Sequence, residues 1–93
     1  SQPVSLKVLI ADDNVDGATS LATMLRLLGY NTQAAYDGQQ AMDLAASLHP
    51  DVILMDIGMP ICNGYEACRK IRSAPWAKST LIVACTGWGQ EED

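Results

Sequence analysis

The stretch Val52-Ile53-Leu54-Met55-Asp56, continued by Ile57-Gly58-Met59-Pro60-Ile61-Cys62-Asn63, decides the fold. Four consecutive apolar residues bounded by Pro50-Asp51 and by a Gly/Pro loop make a short run with no helical stripe. That pattern predicts a strand buried on both faces. The strand ends at a carboxylate, Asp56.

The same design recurs on either side. Upstream, Leu6-Lys7-Val8-Leu9-Ile10-Ala11 stops at Asp12-Asp13; downstream, Leu81-Ile82-Val83-Ala84-Cys85 stops at Thr86. Between these runs the period changes. Ala18, Leu21, Ala22, Leu25 and Leu28 recur at helical spacing, with Asn14 or Asp16 available as N-cap and Gly29 as terminator, and this stripe is expected to face the core. A weak strand follows over 31–36, and Asp37-Gly38 turns the chain. Ala41, Leu44, Ala45 and Leu48 mark a second helix closed by His49-Pro50. Asn63 and Glu66 have capping-box spacing for a third helix, with Ala67, Cys68 and Ile71 inward, and Pro75 ends the link to the last apolar run. Gln90-Glu91-Glu92-Asp93 reads as the acidic first turn of a further helix. Strands alternating with helices predict one α/β domain over 6–93, with a parallel sheet and right-handed crossovers, and 1–5 as a linker.

Composition narrows the function. The chain has 93 residues, 48 % of them hydrophobic and 18 % charged, which suits one small globular domain. Its formal net charge is −5, and six basic residues form no stripe in the sequence that would grip nucleic-acid phosphates. No stretch is apolar and long enough to span a membrane, and the first residues lack the pattern of a signal peptide. Cys62, Cys68 and Cys85 make no CxxC pair and His49 is the single histidine, so the cysteines read as reduced small apolar residues of a cytoplasmic protein rather than zinc ligands.

In an open parallel sheet, ligands bind beyond the carboxyl ends of the strands. Asp12, Asp13, Asp56 and Thr86 all fall at that edge. Three crowded carboxylates repel one another, and a cation among them relieves the repulsion. Carboxylate oxygens with room for water suit Mg²⁺. Aspartates in such positions also serve merely as helix caps, a role open to Asn14 and Asp16.

The runs Val8-Leu9-Ile10-Ala11-Asp12-Asp13-Asn14, Asp51 through Pro60, Asn63-Gly64-Tyr65-Glu66, and Leu81-Ile82-Val83-Ala84-Cys85-Thr86-Gly87 resemble the receiver domain of two-component response regulators, in order and spacing, from Leu6 onward. The resemblance implies a flavodoxin-like doubly wound parallel sheet of order 2-1-3-4 in these residues. It implies that Asp56 accepts a phosphoryl group from the phosphohistidine of a histidine kinase or phosphotransfer protein. It also implies that Asp13 binds Mg²⁺ directly and Asp12 through water, that Asp56 and the backbone carbonyl of Gly58 complete the metal shell, and that Thr86 donates its hydroxyl to a phosphoryl oxygen. Gly87 would leave the phosphoryl group a way in, and Met59-Pro60 would stiffen the loop. Trp88 either obstructs the water that hydrolyses the phosphoaspartate or packs elsewhere. The residues from Thr86 to Asp93 further resemble receivers attached to hybrid histidine kinases.

Receivers carry a fifth strand ending in a lysine and then a last helix, and this sequence stops before both. The last lysine here, Lys78, precedes the fourth strand. For this stretch alone the expectation is slow phosphotransfer and weak coupling to the switch, together with self-association through the exposed edge of the fourth strand, borrowing of elements from a second copy, or poor folding. Two functions compete: a phosphoacceptor module that turns over no external substrate, and a receiver-like docking module that phosphorylation does not switch. A Mg²⁺-dependent phosphatase built on Asp56 is disfavoured, because Gly58 stands where such enzymes commonly carry a second acid.

Overall fold

The computed structural model describes residues 6–56 and 64–85. Their order is β1 (Lys7–Ala11), α1 (Val15–Leu27), β2 (Asn31–Ala35), α2 (Gly38–Leu48), β3 (Val52–Asp56), α3 (Gly64–Arg72), a 3₁₀ helix (Pro75–Ser79) and β4 (Leu81–Cys85). The four strands form one parallel sheet in the order β2-β1-β3-β4, as expected. Register matters for function. Ala11 pairs with Met55, so Asp12 and Asp56, one residue further on each strand, leave the sheet at the same level.

Alternation along the strands divides the core in two. Leu9, Ala11, Ile53 and Met55 face one side and are buried with Ala41 and Ala45 of α2, Ala67 and Ile71 of α3, and Ala77 of the 3₁₀ helix. Val8 and Ile10 face the other side against Ala18 and Ala22 of α1. Full burial of a side chain such as Leu9 or Ile53 is worth roughly 1.5–3 kcal/mol. Where the helices meet the sheet most closely their residues are alanines, so the backbones approach closely and each helix is seated with little freedom to shift.

Element ends follow local chemistry. Asn14, not Asp16, caps α1: its side chain accepts the Gly17 N–H at 3.0 Å. Gly29, at φ +102°, turns the chain out of α1 where a Cβ would be strained. Asp37 caps α2 by accepting the Gln40 N–H at 2.8 Å, so Gly38 is the first helical residue rather than the second half of a plain turn. His49 ends α2 in the left-handed region, φ 48°, and its ring stacks on Trp76 at 4.7 Å.

Three expectations need correction. Leu28 is 68 % exposed and no part of the core; Leu21 and Leu25 are half-buried, and the buried face of α1 is Ala18 and Ala22. Spacing put Leu28 on the inward stripe, but it falls past Leu27 as the C-cap residue, where the helix ends. Pro75 does not merely end a link: it opens a 3₁₀ helix at a position that needs no N–H donor. The apolar strands are not all covered on both faces, since Leu81 is 59 % exposed on β4, the outer strand among the described residues. The expected helix start at 90–93 and the capping contact of Asn63 lie outside the described residues.

Candidate functional site

The site is built by the turn that ends β1. The Asp12 N–H donates to the Ala35 carbonyl at 3.0 Å, which carries the β1–β2 ladder one step beyond Ala11. The Asp12 carboxylate then accepts the Asn14 N–H at 3.0 Å. This bond between a side chain and the backbone two residues on folds strand into helix within three residues. Asn14 caps α1 in turn, and its carbonyl accepts from Ala18 at 2.9 Å. Asp12 and Asp13 are thereby fixed by two consecutive side-chain-to-backbone bonds.

Asp56 arrives from the neighbouring strand as the last residue of β3 and is 4 % exposed. One carboxylate oxygen from each of Asp12, Asp13 and Asp56 lies within 4.8 Å of the others. The cluster is graded from buried Asp56 through half-buried Asp12 to exposed Asp13, so it opens to solvent on one side. Two oxygens on opposite sides of a Mg²⁺ ion, each about 2.1 Å from it, stand roughly 4.2 Å apart. The donor set, three hard anionic oxygens confined to nearly that span, fits such an ion.

The rim beside the cluster is braced by contacts the sequence reading did not draw out. The Thr19 and Tyr36 hydroxyls are 3.3 Å apart, joining α1 to the segment after β2. The Tyr36 N–H donates to Gln40 Oε1 at 2.9 Å. The signal was present in Asp37-Gly38-Gln39-Gln40, which has capping-box spacing. Of the residues singled out from sequence, Asp12, Asp13 and Asp56 are brought together. Gly58, Thr86, Gly87, Trp88 and the Met59-Pro60 pair lie outside the described residues.

Comparison with known proteins gives a consistent answer. The family described as the response regulator receiver domain matches residues 8–93. Response regulator MprA of Mycobacterium bovis is 39 % identical over 70 residues, 75 % of this chain and 30 % of that protein. Regulatory protein AtoC of Escherichia coli is 42 % identical over 86 residues, 92 % of this chain and 18 % of that protein. The chain therefore spans less than a third of the length of these curated relatives. Among solved structures, the receiver domain of sensor histidine kinase PA1611 from Pseudomonas aeruginosa superposes with a TM-score of 0.83 at 34 % identity, covering 97 % of this chain and 74 % of that one. That domain holds a magnesium ion in its active-site cleft. Chemotaxis protein CheY4 of Vibrio cholerae gives a TM-score of 0.82 at 31 % identity, covering 87 % and 68 %.

Proposed function

This chain belongs to the response regulator receiver domain family, and from that premise we propose that Asp56 is its phosphoacceptor, loaded from a phosphohistidine of a histidine kinase or phosphotransfer protein. Receiver domains are signalling modules. The observation that carries the reading is the convergence of Asp12, Asp13 and Asp56 from two strands onto one solvent-facing cluster.

The chemistry is a group transfer. A carboxylate oxygen of Asp56 forms a bond to phosphorus as the phosphorus–nitrogen bond of the donor imidazole breaks, and the imidazole leaves with the electron pair. Burial of Asp56, 4 % exposed, restricts its side chain and favours one orientation for the transfer. Asp13, Asp12, Asp56 and the Gly58 carbonyl are the residues to hold Mg²⁺. When bound, Mg²⁺ would supply charge neutralisation for these carboxylates and for the transferring oxygens. The Thr86 hydroxyl donates to a phosphoryl oxygen. The module works in the cytoplasm.

Beryllofluoride with Mg²⁺, a phosphoryl mimic, tests the assignment on the full chain. The expected result is chemical-shift change centred on Asp12, Asp13, Asp56 and Thr86 that disappears in Asp56→Asn. Unchanged spectra would assign the domain to docking without a phosphorylation switch.

A further inference from the structure

We propose that the hollow between α2 and α3, with the cations around it, docks an acidic segment of a partner protein and seats one of that segment's apolar side chains. The hollow has a volume of about 110 Å³ and is lined by Met42 and Ala46 of α2, by Lys70, Ile71 and Ala74 at the end of α3, and by Trp76. A cavity of roughly 150 Å³ holds a benzene molecule, so this space suits one branched or small aromatic side chain. It lies at the opposite end of the sheet from Asp56, because α3 runs antiparallel to the strands and the hollow is at its C-terminal end. The inference is therefore independent of the phosphoacceptor reading.

Charge chooses the occupant. From Ala67 to Gln90 the sequence holds no acidic residue, yet it holds Arg69, Lys70, Arg72 and Lys78, four of the six basic residues of a chain whose net charge is −5. Arg72 has a part in the fold: its guanidinium donates to the carbonyls of Ala77 and Thr80 at 2.7 and 2.8 Å, tying the 3₁₀ helix to α3. Arg69, Lys70 and Lys78 are exposed. One cation complements the negative end of α3 well enough; its last turn holds three, and the 3₁₀ helix adds a fourth, more than the helix dipole asks for. The nearest acid on α2, Asp43, accepts from Gln39 at 3.1 Å along its own helix. Lys70 and Trp76 on the lining of an apolar hollow, with Arg69 and Lys78 close to them in the sequence, are the make-up of a protein-binding centre with a charged rim. Nucleic acid is the poorer occupant, because the rest of the chain is acidic and would repel its phosphates. Trp76, moreover, already has one ring face stacked on His49.

The test titrates a synthetic amphipathic peptide, glutamates on one face and leucines on the other, into the isotopically labelled full chain at low salt. Shifts are expected to cluster at Lys70, Ile71, Ala74 and the Trp76 indole. Affinity should fall about tenfold when Lys70→Glu and Lys78→Glu are combined, since each exposed charge pair is worth up to about 1 kcal/mol and its reversal adds repulsion. Replacing the peptide's leucines by alanine should also weaken it about tenfold. Both lysines are exposed, so circular dichroism of the double variant should match the parent. Equal binding of a peptide with lysine for glutamate, shifts elsewhere or no shifts, or an unchanged affinity in the double variant overturns the proposal. So does tighter competition at the same resonances by a single-stranded oligonucleotide, or self-association in sedimentation that Lys70→Glu abolishes.

Discussion

At the scale of single residues, the molecule concentrates anionic charge where it is least comfortable. Asp56 is buried and shares a space with Asp12 and Asp13, their oxygens within 4.8 Å. Like charges at that range cost about 1 kcal/mol per pair even in a water-like medium and more inside a protein. Asp12→Asn should remove part of this repulsion while its amide oxygen still accepts the Asn14 N–H. In EDTA the variant should melt higher than the parent, by about 4–8 °C for each kcal/mol relieved, and the stabilisation that added Mg²⁺ gives the parent should shrink. Thermal melts with and without Mg²⁺ check both. An unchanged Mg²⁺ response would remove Asp12 from the ion's surroundings. That these residues meet was legible from the sequence, because apolar runs ending in aspartate on parallel strands leave little choice of edge. The exposure of Leu28 was not legible, because helical spacing gives the angle around an axis but not where the helix ends.

At the scale of elements, two features hold the site in place: the cap that starts α1 and the alanine contacts that seat the helices. Asn14→Ala removes the acceptor for the Gly17 N–H and should cost about 1 kcal/mol, with Asn14→Ser restoring most of it in urea unfolding. The loss should also loosen the Asp12–Asp13 turn and lower the affinity for Mg²⁺. Ala45→Leu places three extra carbons where α2 meets the sheet with no exposed surface, and should destabilise by about 1–3 kcal/mol. A neutral Ala45→Leu would mean the layer has slack that its alanines do not suggest. The 3₁₀ helix was not legible, since five residues opened by a proline carry too little periodicity to distinguish a tight turn of helix from a loop. The start of α2 was masked for a similar reason: Asp37-Gly38 is turn chemistry and cap chemistry at once.

At the scale of the whole molecule, the two ends of the sheet carry opposite charge. Asp12, Asp13, Asp16, Asp37 and Asp56 lie where strands end and helices begin. Lys7 opens β1, Arg26 is in the last turn of α1, Arg69, Lys70 and Arg72 close α3, and Lys78 precedes β4. The arrangement agrees with the helix dipoles at both ends and leaves the acidic rim attractive to a divalent cation. This polarity could not be read by scanning the chain, because it exists only once crossovers have returned every helix antiparallel to its strand. β4, with Leu81 and Val83 exposed, is the outer strand among the described residues.

The most direct test of the central claim is to expose the full chain to a small-molecule phosphodonor and map the modified residue by mass spectrometry. The account predicts one acyl phosphate, on Asp56, formed in Mg²⁺, suppressed by EDTA and absent from Asp56→Asn. A phosphoryl group on any other residue, or equal labelling of Asp56→Asn, would contradict it.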